Sequence, residues 1–243
     1  MNGKDEFLLD GCDEQKKNSV HAVISAYRSL LTPISYVSMP ITTGKLYYEV
    51  LDKMGSVLTK DQVYDQIIRP NGERGLDFAQ SIEGLPTFPV VAPAIFEAKQ
   101  MRWTEREYMY LWYRILEEKA REIWMSPGWQ YSNGCSEEFT RAMKIQWDFV
   151  RLDPTTEDEP LPIRAYDALG NELNIYDGTK LVFEAIVDLK DRGHDCPKLI
   201  ECLHELVNYA GVYYTYGKDQ GWVCPHEVDY EQMAAWSEQI RSL

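Results

Sequence analysis

Basic side chains are scarce: 25 Lys and Arg stand against 39 Asp and Glu, a formal charge of −14. Non-specific binding to a nucleic-acid polymer needs clustered cations, so that class is excluded as an expectation. A small anion held in a local pocket is not. Cysteine is sparse and odd in number, five in all, which fits reduced thiols better than a disulfide framework. No apolar run approaches the ~20 residues of a membrane span. The opening MNGKDEFLLDGCDE lacks the basic-then-apolar order of a signal peptide. Together these point to a cytoplasmic protein with no membrane partner. Internal repeats, low-complexity tracts, a P-loop, a dinucleotide-binding glycine pattern and HExxH are all missing from the sequence. What is present is an ordinary globular composition, 44% hydrophobic and 26% charged over 243 residues, enough for one large domain or one domain with an appendage.

Residues 13–32 read as a helix, with Val20, Val23, Ile24, Tyr27, Leu30 and Leu31 at helical spacing and Pro33 beyond it. ISYVSMP reads as a buried strand at 34–39, followed by the turn ITTGK and a helix through KLYYEVLDKMGSVL. LTKDQVYDQII reads as a short helix, and RPNGERGLDFAQSIEGLPTF, with its glycines and prolines, as a long loop. PVVAPAIF is the second strand. Thr104 and Glu107 form a capping box for a helix over 105–120. REIWMSP is the third strand, EEFTRAMKIQW a helix and DFVRL a fourth strand. TTEDEPLP is an acidic, Pro-containing linker at 154–162. IRAYDALGNELNIY reads as a hairpin about Leu169-Gly170-Asn171, and DGTKLVFEAIVDLKDRG and CPKLIECLHELVNYAG as helices. The expected organisation is a parallel α/β core over 1–153, the linker, and a hairpin with a mostly helical extension over 163–243. Right-handed crossovers bring ITTGK, PAIF and GWQYSNGCSEE to one edge of the sheet.

The turn from Pro127 to Glu138 (PGWQYSNGCSEE) runs from a strand end into a helix start. Unpaired N–H groups there favour anions, Ser132 adds a hydroxyl and Gly134 permits close approach. Glu137 or Glu138 in the first turn would be held ionised by the helix end, and an ionised, positioned carboxylate suits a glycosyl-transfer nucleophile. The same residues also read as plain helix capping. His194-Asp195-Cys196, Cys202-Leu203-His204 and Cys224-Pro225-His226 place zinc-ligand types together. Residues two apart on a helix point to different faces and no CxxC occurs, so no metal is expected. The aromatics Trp103, Tyr108, Tyr110, Trp112 and Tyr113 read either as core or as a nucleobase sandwich, and Tyr214, Tyr216 and Trp222 as cover for the core or a subunit interface.

Over roughly 34–153, YVSMPITTGK, VVAPAIFEA and IWMSPGWQYSNGCSEEFTRA resemble the nucleoside 2-deoxyribosyltransferase-like superfamily. That superfamily includes deoxyribosyltransferases and nucleoside 5′-monophosphate N-glycosidases. The resemblance implies a Rossmann-like (flavodoxin-like) parallel sheet flanked by helices. Its frame has a Gly four positions before the catalytic Glu and an Ala four after; Gly134, Glu138 and Ala142 fit it and Glu137 does not. Glu138 is therefore the implied nucleophile. Six positions before it the deoxyribosyltransferases carry Asp and the monophosphate enzymes Ser; here stands Ser132. The implied substrate contacts are Tyr36, Pro40, Thr42, Thr43, Gly44, Trp129, Ser132 and Gly134, with Lys45 either joining them or solvated.

The sequence departs from the pattern at two places. Arg121 stands where the family opens this strand with Asp, and no acid lies at Trp112–Arg114, where one assists the leaving base; Glu107, Glu117 and Glu118 are nearby substitutes. The expected activity is cleavage of a nucleoside 5′-monophosphate to free base and sugar phosphate through a glycosyl-Glu138 intermediate, by a homo-oligomer, without cofactor. The alternatives are base exchange by a deoxyribosyltransferase, a non-catalytic nucleotide-binding protein on the same fold, and a pure interaction protein.

Overall fold

A computed structural model describes residues 8–55, 57–95, 103–151, 163–220 and 229–241. Helix α1 (Glu14–Arg28), capped by Asp13, leads into strand β1 (Ile34–Ser38). After the loop 39–44 come α2 (Lys45–Met54) and an unbroken helical run: α3 (Lys60–Val63), a π-turn (Tyr64–Ile68) and α4 (Arg69–Ser81). Strand β2 is only Val90–Val91, followed by a 3-10 turn. Helix α5 (Glu105–Lys119) runs directly into β3 (Ala120–Met125), and a 3-10 turn at Trp129–Tyr131 leads to α6 (Asn133–Arg151). Strand β4 (Arg164–Tyr166) is followed by α7 (Ile175–Asp191), α8 (Pro197–Gln220) and α9 (Tyr230–Arg241).

The four strands form one all-parallel sheet in the order β2-β1-β3-β4. The fold is α/β and Rossmann-like, with the strand order of the flavodoxin-like type. Every residue of β1 is buried, as expected of a parallel sheet covered on both faces. Alternation assigns the faces. Ile34, Tyr36, Ile123 and Met125 enter the large core made with α1, α5, α6 and the C-terminal helices. Val37 and Trp124 enter a smaller core with Phe78 and Ile82, from α4 and the turn after it. The chain thus crosses one face between β1 and β2, and the other between β2 and β3. The switch lies between the carboxyl ends of β1 and β3, the place where open α/β sheets bind ligands.

Several expectations need correction. Residues 69–81 are helix, not loop. Pro70 falls where the π-turn passes into α4, inside the continuous helical run. Gly75 is a packing glycine: a Cβ there would lie 1.9 Å from Met39 Sδ. DFVRL is not a strand, because α6 continues to Arg151. The fourth strand is instead Arg164–Tyr166, pairing parallel with β3. The hairpin is reduced to one antiparallel bridge between Tyr166 and Glu172, closed by the Asp167 carboxylate, which accepts from the backbone N–H groups of Leu169 and Asn171. β4 therefore belongs to the core sheet while following the proposed linker, 154–162, which lies outside the described residues. No described helix is long and apolar enough to cross a membrane.

Candidate functional site

β1 delivers two hydroxyls to the large-core face, Tyr36 and Ser38, because residues two apart on a strand share a side. Across from them α6 carries a buried stripe at helical spacing: Cys135, Phe139, Ala142 and Met143. Glu138 lies within this stripe, 9% exposed. Its Oε1 accepts from Tyr36 Oη at 2.5 Å and its Oε2 from Ser38 Oγ at 2.6 Å. Each carboxylate oxygen thus has one hydroxyl donor, and the group is fixed in orientation.

Glu138 is not held ionised in the way the sequence suggests. It is the sixth residue of α6, beyond the first turn, where the helix-end field fades. Burial pushes its carboxyl up, the Ser38 and Tyr36 hydroxyls pull it back in part, and it settles at about 7. Burial and the Glu138 carboxylate raise the Tyr36 phenol well above its ordinary value, so Tyr36 stays a donor. Burial also pushes the Cys135 thiol up to about 12, which removes it as a thiolate nucleophile at neutral pH. Glu137 points elsewhere, 3.4 Å from Arg141 and 3.5 Å from Lys198.

The loop after β1 and the start of α6 meet as two walls. Thr43 Oγ1 is 3.2 Å from Ser132 Oγ and accepts the Asn133 N–H at 3.1 Å. Ser132 is buried, and its carbonyl accepts from the Ser136 N–H. Gly44 adopts φ +106, and a Cβ there would strike Pro40 Cβ at 2.7 Å, so the tight turn demands glycine. A Cβ on Gly134 would meet nothing within 4 Å, which leaves open space at the helix start. Thr42 is exposed and donates to Glu105 at 3.5 Å.

The structure thus gathers Tyr36, Pro40, Thr43, Gly44, Ser132, Gly134 and Glu138 at the switch point. Trp129 is different: it is 3% exposed and packs on Phe139 with ring centroids 4.9 Å apart, as core. Of the suggested acid substitutes, Glu107 is buried and caps its own helix through the Thr104 N–H. Glu117 and Glu118 sit at the far end of α5, bound to Arg141, Arg114 and Arg28. Arg121 lies at the start of β3, the end opposite the loop. The aromatics of α5 and its approach are mostly core, with Trp103, Tyr110, Trp112 and Tyr113 all buried. Among the described residues no group of three or more His, Cys, Asp or Glu side chains converges as metal ligands. His194 contacts Asp52 and His204 contacts Ser237, while Cys224, His226 and Trp222 lie outside the described residues.

Sequence reasoning missed Ser38, although its place two residues after Tyr36 was a usable signal. It also missed Glu122, a buried carboxylate on the other face. Burial raises Glu122, but donors from Ser35, the Thr87 N–H and Trp124 outweigh this and hold it below its ordinary value. An open groove of about 500 Å³ along β2, lined by residues such as Leu76, Phe88 and Val90, shares no residue with the site. A comparison of the chain with protein-family models, curated proteins and solved structures finds no match.

Proposed function

We propose that the protein cleaves the N-glycosidic bond of a nucleoside 5′-monophosphate. The observation that carries this is Glu138: a buried carboxylate at the switch point, each oxygen held by one hydroxyl. In its ionised form it attacks C1′ of the sugar while the C1′–N bond breaks and the base leaves with the bonding pair. Water then attacks C1′ of the glycosyl ester, the C1′–O bond to Glu138 breaks, and the proton water loses balances the one the departed base takes up, giving sugar phosphate, free base and the carboxylate. Tyr36 and Ser38 orient the attacking oxygens and accommodate the loss of charge as the ester forms. Ser132, Thr43 and the open Gly134 position form the subsite for the 5′-phosphate, since the two hydroxyls can donate to an anion and an Asp would repel it. If a second base intercepts the ester before water does, the same site performs exchange.

The resemblance noted in the sequence supports the same reading and adds a cytoplasmic homo-oligomer; light scattering on the purified chain tests the assembly. The activity is tested by incubation with a panel of nucleosides and their 5′-monophosphates, following released base by chromatography. Release from monophosphates in preference to nucleosides is expected. Release from none of them ends the proposal and leaves a binding or interaction protein.

A further inference from the structure

One side chain outside the walls of the site governs where one wall stands. Asn71, on the third position of α4, is 6% exposed. A buried amide is costly unless bonded, and this one spends both protons of Nδ2 on the loop after β1. They go to the Ile41 carbonyl at 3.1 Å and the Thr43 carbonyl at 3.3 Å. The reverse amide orientation would set Oδ1 against two carbonyl oxygens, so the donor side is fixed. One turn further along α4, Gly75 lets Met39 pack against the helix backbone. The segment 39–44 is therefore tied to α4 at two separate points.

The tie continues into the site. With its carbonyl held by Asn71, Thr43 presents Oγ1 to Ser132 and to the Asn133 N–H at the start of the helix bearing Glu138. We infer that Asn71 is a positioning residue that sets ligand affinity: it latches the loop to α4 so that the Thr43 hydroxyl reaches the helix start, without touching ligand itself. The inference rests on the reading of this loop as the phosphate wall. Glu138 is oriented separately, by Tyr36 and Ser38. Losing the latch should therefore raise KM more than it lowers kcat.

The test uses the full chain, wild type and Asn71→Asp, which keeps the shape but removes both protons. Amide hydrogen exchange is followed over 39–47 and 130–136, with β3 and α7 as internal references. Binding of ribose 5-phosphate and 2-deoxyribose 5-phosphate, the part common to all substrates of the class, is measured by calorimetry. Exchange in 39–47 should rise at least about 10-fold while the references keep their protection, and sugar-phosphate affinity should fall about 10- to 100-fold. Asn71→Leu removes the same two protons without adding a charge near the phosphate wall and should loosen 39–47 and weaken sugar-phosphate binding to the same degree. It serves if Asn71→Asp does not fold. Unchanged loop exchange, or a uniform rise everywhere, would overturn the latch. If wild type binds neither sugar phosphate and releases no base, the functional reading falls, and the exchange comparison still decides the role of Asn71.

Discussion

A carboxyl that titrates near neutrality is useful to a nucleophile and costly to a fold, and Glu138 shows both sides. Its value of about 7 in the folded chain lies above the ordinary 4.5. The stability this confers is complete below about pH 4.5 and is lost as the pH rises through about 7. Glu138→Gln imitates the protonated form. It should leave stability nearly unchanged at pH 4 and raise it by about 2–3 kcal/mol at pH 8, read as denaturant midpoints at both values. The same variant cannot form the glycosyl ester and should lose about 10³-fold or more in base release. In wild type, kcat/KM should climb with pH through about 7, as the nucleophile ionises. A variant that gains no stability at pH 8 would show that Glu138 is not ionised at a cost. Glu137→Gln, which removes partly exposed ion pairs with Arg141 and Lys198, should cost about 1 kcal/mol or less and little activity. At Ser132 the expected contrast is chemical. Ser132→Asp sets a charge against a 5′-phosphate and should depress monophosphate turnover roughly 10- to 150-fold relative to the matched nucleoside. Ser132→Ala removes the hydroxyl without adding a charge and should lose less. Wild-type turnover of the nucleoside equal to that of the monophosphate would remove the phosphate assignment.

At the scale of elements, two glycines in helices make opposite predictions. Gly178 of α7 faces Phe139, the neighbour of Glu138, and a Cβ would fall 2.1 Å from the ring. Gly178→Ala must displace that ring or part the helices, at about 1–3 kcal/mol, and should reduce base release as well. Gly72 of α4 has nothing within 4 Å of its Cβ position, so Gly72→Ala should stabilise by about 0.5–1 kcal/mol through helix propensity alone. Melting curves of the pair, shifting in opposite directions, are the check. These glycines also explain what could be read from the sequence. Strands β1 and β3 were legible because runs such as ISYVS and EIWM have few other uses. Helix α5 was legible because Thr104 and Glu107 close a capping box. Helix α4 was not, because Pro70, Gly72 and Gly75 are local signals for a loop, and the reason Gly75 is tolerated is Met39, more than 30 positions away. β4 was hidden for a similar reason: three residues carry almost no period, and pairing with Glu122 to Trp124 makes them a strand. The site followed the same division. The turn into α6 marked Ser132 and left Glu137 and Glu138 open until the resemblance chose between them, whereas Ser38 and Asn71 matter only through contacts 100 and about 30 residues distant.

For the molecule as a whole, the C-terminal helices are bound to the core at several points that differ in chemistry. Ile163, Leu173, Val182, Ile186, Leu199, Leu203 and Leu206 share one hydrophobic core with Tyr36, Ile123 and Phe139. Arg192 and His194 both pair with Asp52 of α2, and Lys198 reaches Glu137 of α6. Each of these apolar side chains stabilises by about 1.5–3 kcal/mol when buried, so the seven contribute roughly 10–20 kcal/mol against the entropy of ordering the segment. Covalent continuity through 154–160 should then be dispensable once the chain has folded. With a specific protease site placed in that segment, cleavage of the native protein should yield two fragments that co-elute on size exclusion. They should part only at a denaturant concentration that also abolishes the helical circular-dichroism signal. Base release should survive the cut, because β4 and α7 stay seated against β3 and Phe139. A truncated chain ending at 162 should behave differently: without β4 to cover the edge of β3, and with Phe139 stripped of its partner at Gly178, it should be expressed as aggregate. Separation of the cleaved fragments in native buffer would mean that 163–243 is an independent domain resting on the core, and that the shared core does not hold the site together.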